Sequence, residues 1–449
     1  MTNRLASTFR LRAMSRLRPV LAIVPLIAVA VVAAFAVGCN GTSAAGDRGL
    51  IPDTSPTPRP TIPPAVATST PAPGHFDVID GVNVYAEIPP LSVNIGQWRE
   101  TDFRRFTVDP DEILSTGPGR NGIEPIYQPH FIPLLEAATL EWMTGDHPVA
   151  VVEIDGDARA YPLGILTFHE VVNDVIGGQP VLVAYGPLTY TTQAFSRVVD
   201  GVELNFGTTG NVRLSNSVMW DDVTESWWQQ ANGKAIAGEA AGQQLERIPA
   251  YVTSFREFAR TYPEGRVLSP ASGSPEFWPV YGGSQYFGYD SPNNPPSLFL
   301  GLLDERLSPK ERVLGVEIGD EVIAFPFARL RQAQVVNTEI GGEPVVVFWK
   351  PGTRSALDEE LIADSHDPGS AAAFSRRHGD RVLEFEAAGE FFRDTETGTL
   401  WTLLGAADAG PLAETDEPAD QRLIPVKADN ALWFIWSALN PDTEIWPGE

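Results

Sequence analysis

A stretch running from Val152-Glu153-Ile154 to Thr189 aligns without a gap on Val316-Glu317-Ile318 to Thr353, 164 residues further along, and 17 of the 38 positions are identical. Such self-similarity constrains the fold more than any single motif, because both stretches must satisfy one set of packing rules. The identities fall where backbone geometry is demanding. Pro162 matches Pro326, Asn173 matches Asn337, Gly177-Gly178 matches Gly341-Gly342, Pro180 matches Pro344 and Pro187 matches Pro351. After an insertion in the second copy, roughly 358–370, the match resumes. Ala194-Phe195-Ser196-Arg197 corresponds to Ala373-Phe374-Ser375-Arg376, and Asp221, Thr224 and Trp228 correspond to Asp394, Thr397 and Trp401. Ile248-Pro249 corresponds to Ile424-Pro425. The chain reads as two diverged tandem copies of one unit.

Within a copy the pattern is strand-rich. Residues 150–161 predict a hairpin turning at Asp155-Gly156, and 179–185 form a β-branched run after a Gly-Gly turn. Residues 202–206 alternate apolar and polar side chains, as a half-buried strand does. Short amphipathic helices are expected after Ser254 and Asn430, both suited to N-caps, and should stop before Pro263 and Pro441. The 39 prolines and 40 glycines among 449 residues suit many short elements joined by turns. The expected fold is β-rich α+β, with each unit closed by a short C-terminal helix. Neither unit is long enough for a large core alone, so the two should pack into one body. The expected organisation is a signal peptide over 1–38, a Pro/Thr-rich tether over 39–74, a lead-in over 75–145, copy one over 146–270 and copy two over 271–449.

The start of the chain bears on location. Arg4, Arg10, Arg12, Arg16 and Arg18 precede an uncharged apolar run from Val20 to Val37, the pattern of an export signal. The run is also long enough to serve as a transmembrane anchor. Ala36-Val37-Gly38-Cys39 favours the first reading. Small residues before a cysteine resemble a bacterial lipoprotein signal, although leucine is commoner where Ala36 stands. Cys39 is the sole cysteine, so no disulfide can form within the chain. Lipidation of Cys39 would hold the protein durably at a membrane on its extracytoplasmic side. The following residues, among them Pro52, Pro56, Pro58, Pro60, Pro63 and Pro64, suit a semi-rigid spacer. A formal charge of −26, more negative once the signal's arginines are removed, argues against a nucleic-acid partner.

One constellation could carry chemistry. Phe168-His169-Glu170-Val171-Val172-Asn173-Asp174 brings an imidazole and two carboxylates together in sequence. His169 and Asn173 share a face in either a strand or a helix, and so do Glu170 and Asp174. The adjacent valines favour a strand, which would send His169 and Glu170 to opposite sides. In the second copy Ala333, Gln334 and Thr338 stand where His169, Glu170 and Asp174 stand in the first, while Asn337 keeps the asparagine. The fold therefore needs the asparagine but not the His-Glu pair. His169, Glu170 and Asp174 are the candidate catalytic residues, and His169 is the candidate metal ligand. Asn173 suits a backbone hydrogen bond, Asp221 and Asp394 suit turn caps, and Gly207-Thr208-Thr209-Gly210 reads as a turn. His130, His147, His366 and His378 show no ligand spacing with one another. There is no phosphate-binding glycine loop, Gly-x-Ser-x-Gly elbow or His-Glu-x-x-His run, and no cofactor is indicated.

Four runs, Asp155 to Pro162, His169 to Asp174, Thr224 to Trp228 and Asp304 to Lys310, together resemble the domain of unknown function 3179 family. The resemblance covers about 98–446 and implies no settled activity. Members usually carry Tyr-Cys-Pro-Leu-Cys-Gly after the Gly-Gly turn, where this chain has Tyr185-Gly186-Pro187-Leu188-Thr189-Tyr190. Two thiols at that spacing would suit a soft metal or a redox pair, and Gly186 and Thr189 can do neither.

Two functional readings follow. One is a lipid-anchored binding or scaffold protein with a degenerate cysteine site. The other is a metal-dependent enzyme or metal-binding protein using His169, Glu170 and Asp174, whose carboxylates and imidazole suit a hard or borderline divalent ion. The ligand and any protein partner are not legible.

Overall fold

A computed structural model describes residues 76–448, apart from 293 and 417–420. The expected signal peptide, Cys39 and the tether lie outside the described residues. Among those residues no helix is long and apolar enough to cross a membrane.

The fold is β-rich α+β, and it starts from two hairpins in series. Pro148–Ile154 pairs with Asp157–Pro162, and Asp155 and Gly156 both take positive φ (52° and 86°). A two-residue turn of that kind matches the right-handed twist of its strands. Pro162 then opens a seven-residue helix, Leu163–His169, and Val171–Ile176 pairs back on Gln179–Gly186 through Gly177-Gly178. Gly177 is required twice over: its φ is 55°, and a Cβ there would lie 2.7 Å from the carbonyl oxygen of Ile154. The turn therefore rests directly on the end of the first hairpin.

The same elements recur 164 residues later. Arg312–Ile318 pairs with Glu321–Pro326, the helix Phe327–Ala333 follows, and Val335–Ile340 pairs with Glu343–Lys350. Gly341 repeats the close approach of Gly177, with its Cβ position 2.7 Å from the Ile318 carbonyl oxygen. Asn173 bridges to Phe206 through both amide atoms, and Asn337 does the same to Phe385. Asp221 and Asp394 each cap a tight turn and accept from a buried indole, Trp228 and Trp401 respectively, at 2.9 Å.

Among the described residues four sheets serve the first segment and four the second, and the eight- and five-stranded sheets of the first have counterparts of only four strands each in the second. The difference comes from the lead-in, which is woven into the first segment rather than set apart. Its strands Arg105–Phe106 and Ile113–Ser115 join the sheet built on Phe206–Arg213 and Asn216–Asp221, and Phe131–Pro133 joins the sheet of the first hairpin.

The segments meet reciprocally. Strand Thr191–Ser196 of the first lies against Ala428–Leu432 of the second, while Tyr251–Ser254 of the first lies against Ser370–Ser375 of the second. Each contact joins one strand to the counterpart of the other's partner, as in a two-fold interface. Arg247 pairs there with Asp429, which also accepts from Gln193 at 3.0 Å. One apolar cluster runs through both segments, from Tyr161, Leu166 and Val183 to Val313, Leu432 and Trp433.

Some local expectations are corrected. Ser254 caps the helix Phe255–Thr261 through its side chain, but Asn430 lies inside strand Ala428–Leu432, paired opposite Leu314, and the helix begins at Trp433. The run 202–206 is broken: Val202–Glu203 pairs locally and Phe206 opens a different strand. Residues 207–210 are no turn but part of strand Phe206–Arg213, where the register against Asn216–Asp221 shifts between Thr208 and Asn211. A glycine pair inside a strand often marks such a bulge.

Candidate functional site

The site grows from the junction between helix and strand. His169 is the last residue of the helix, not part of a strand, and Glu170 turns the chain with φ 56° and ψ −34°. Few non-glycine residues hold positive φ, and those that do are fixed by their surroundings. Here the Glu170 N–H donates to Leu166 O and its carbonyl accepts from Tyr185 N–H, both at 2.8 Å. Gln334 repeats the geometry, with φ 61° and the matching bonds to Leu330 and Trp349. The backbone is thus common to both segments, but the side chains meet different surroundings. Gln334 is exposed, whereas Glu170 is 6% exposed.

What encloses Glu170 is a cavity of about 270 Å³. Pro187 and Leu188 form one wall, and Thr208, Asn211 and Val212 of the bulged strand form another. The lead-in contributes Thr116 and Ile123, and the loop before the second segment contributes Tyr286, Ser297 and Leu298. The bulge is where the lead-in docks: Thr116 N–H donates to Gly210 O at 2.9 Å, and Asn121 N–H to Thr208 O at 2.8 Å. Gly210 has φ 71°, and a side chain there would collide with the Pro118 carbonyl.

Glu170 accepts from Ser217 Oγ at 2.8 Å and from the Tyr286 hydroxyl at 3.4 Å. Burial pushes its carboxyl up to about 7, which the two hydroxyl donors only partly offset. Glu170 is the sole charged residue among the described lining residues. Burial, and the neighbouring Glu170, also push the Tyr286 hydroxyl well above its ordinary range. Apolar walls with a few convergent polar groups and one strongly perturbed acid are the general features of a small-molecule site.

His169 and Asp174 lie elsewhere. The His169 Nδ1 lies 2.7 Å from the Glu124 carbonyl oxygen, and Nε2 lies 2.6 Å from the Tyr281 hydroxyl. A carbonyl can only accept, so Nδ1 carries the proton and donates, while Tyr281 donates to Nε2. Both ring nitrogens are used, the ring is fully buried, and burial lowers its pKa. His169 therefore pins the lead-in and the inter-segment loop to the end of the helix. Asp174 accepts from Tyr161 Oη at 2.5 Å and from Val175 N–H at 2.7 Å, with Arg159 3.7 Å away. Burial raises its pKa. The three sequence candidates do not converge on one point.

A different cluster does converge. Among the described residues, Asp290, Asp358 and His366 each bring one ligand-type atom within 4.8 Å of the others. Asp290 is already held by Arg312 at 3.0 Å and by Ser355 at 2.5 Å. His366 and Asp358 belong to the insertion in the second segment, which was the one sequence signal pointing to them.

Gly186 and Thr189, the positions at which the family resemblance implies two cysteines, are neighbours in space. A Cβ on Gly186 would lie 2.8 Å from both Thr189 Oγ1 and Thr191 Oγ1. Asn216 donates to both hydroxyls, at 3.0 and 3.1 Å, and Thr191 donates to Gln230 at 2.6 Å. A buried hydroxyl and amide network fills this position.

The family model for a protein of unknown function (DUF3179) matches residues 120–443. The chain belongs to that family. No curated protein and no solved structure matches it.

Proposed function

We propose that this member of the DUF3179 family is an extracytoplasmic protein, anchored to a membrane through lipidated Cys39, that binds a small molecule in the Glu170 cavity. The carrying observation is the inequality of two matched positions. Glu170 and Gln334 share one backbone geometry, yet only Glu170 is walled in, and the walls include the lead-in and a loop that have no counterpart around Gln334. Added structure that encloses one polar side chain and leaves a cavity open beside it supports a binding role. The hydroxyl and amide network at Gly186 and Thr189 is consistent with a cysteine site that has become structural. A metal set drawn from His169, Glu170 and Asp174 gains no support, because both ring nitrogens of His169 are occupied and the three residues do not bring ligand atoms together.

Two measurements test the proposal. Metabolic labelling with a fatty-acid analogue in a bacterial host should tag the wild type and not Cys39→Ala; an untagged wild type, or an equally tagged variant, would refute lipid anchoring at Cys39. A ligand-observed NMR fragment screen should give hits on the wild type that vanish in Val212→Phe, a variant that fills the cavity. Hits that persist in Val212→Phe, or no hits at all, would remove the binding reading.

A further inference from the structure

We infer that the Glu170 cavity takes a small organic cation, an amine with an apolar body, whose ammonium group supplies the counter-charge that this buried carboxyl lacks. The inference deepens the binding reading and rests on it.

The other buried acids among the described residues are all compensated. Asp174 has Arg159 at 3.7 Å, Glu257 has Lys350 at 2.9 Å, Asp290 has Arg312 at 3.0 Å, and Asp429 has Arg247 at 2.8 Å. Asp221 and Asp394 lack a cation, but each collects an indole N–H, a backbone amide and a threonine hydroxyl. Glu170 has two hydroxyl donors, one of them at 3.4 Å, and no basic side chain in its lining. A buried carboxylate so poorly supported must take a proton or meet a cation. Tyr286 is the one other titratable group facing it among the described lining residues. The lead-in, the Pro187–Thr189 turn and both neighbouring strands present neutral side chains.

An ammonium group would donate to the carboxylate in a charge-assisted hydrogen bond. Its apolar body would lie along Ile123, Leu188, Val212 and Leu298. About 270 Å³ admits a ligand of roughly ten non-hydrogen atoms, judged from the volume that encloses benzene. Because the cation binds ionised Glu170, a protonated carboxyl must release its proton first. Affinity should therefore rise with pH through the range in which Glu170 ionises.

The test is isothermal calorimetry on the full-length protein in detergent, with cyclohexylamine, cyclohexanol and cyclohexanecarboxylate as probes of one shape and three charges. The amine should bind with a stoichiometry of one and about tenfold more tightly at pH 8 than at pH 6, as the ionised fraction of an acid titrating near 7 requires. Repeating the titration in buffers of different ionisation enthalpy should report proton release, and cyclohexanol should bind at least about tenfold more weakly. Glu170→Gln should erase the preference for the amine. If that variant does not fold, proton release and the pH slope of the wild type decide the matter. Equal or tighter binding of the alcohol or the carboxylate, or an affinity that falls as pH rises, overturns the inference. If all three probes are silent while other fragments enter the cavity, the amine is wrong and the cavity reading stands. If no fragment of any class binds, both fall.

Discussion

Glu170 is held at positive φ by two backbone hydrogen bonds, and the same turn that fixes its backbone leaves its carboxyl in an apolar enclosure. The consequence for stability can be signed. An acid whose pKa is raised on folding binds more protons in the folded than in the unfolded chain between the two values, so folding stability falls as pH rises across that window. For Glu170 the window runs from its ordinary 4.5 to about 7, and the total effect is on the order of 3 kcal/mol. Buried His147 and His169 contribute slopes of the opposite sign, because burial lowers their pKa values. The difference between wild type and Glu170→Gln isolates the carboxyl. Urea unfolding at pH 5 and pH 8 should find the variant gaining stability relative to wild type on going to the higher pH. A difference that does not change with pH would mean that Glu170 is solvated in the folded protein. Aligning 152–189 with 316–353 singles out His169 and Glu170. The alignment does not separate the residue that faces a cavity from the one that pins the fold, since partners such as Glu124, Tyr281 and Tyr286 come from outside the aligned stretches.

At the scale of elements, the turns were the most legible parts. Asp155-Gly156 and the two Gly-Gly pairs need positive φ, and few residue types supply it. The helix Leu163–His169 was hidden for a physical reason: six of its seven residues are buried, so it carries no polar face and no 3.6-residue period. The valines after it suggested a strand, and the strand does begin at Val171, one residue beyond the junction that matters. Asn430 misleads in a similar way, because an asparagine can cap a helix or sit in a sheet, and its pairing with Leu314 is set by a strand more than a hundred residues earlier. The bulge at Thr208 to Asn211 left only paired glycines as its trace. The walls of the cavity were not legible at all. No local pattern ties Thr116 or Tyr286 to Glu170, and such contacts exist only once the lead-in has docked on the bulge.

For the whole molecule, the question is whether the two segments can come apart. Strand Arg312–Ile318 argues that they cannot. Its side chains alternate between two cores, with Val313 in the cluster shared with Tyr161 and Leu166, and Leu314 and Val316 in the cluster of the second segment. A strand with both faces buried in different clusters transmits the loss of either one to the other. Trp433 is the natural probe, being fully buried in the shared cluster and donating through its indole to Asp304 O at 2.9 Å. Trp433→Ala should cost about 3–5 kcal/mol, as large-to-small changes of buried aromatics do. If the body unfolds as one unit, hydrogen exchange of the slowest amides in Val171–Ile176 and in Val335–Ile340 should accelerate by the same free energy. Loss of protection in one strand with the other unchanged would make the segments separate folding units. In that case the enclosure of Glu170, which depends on the loop leading into the second segment, could open without global unfolding.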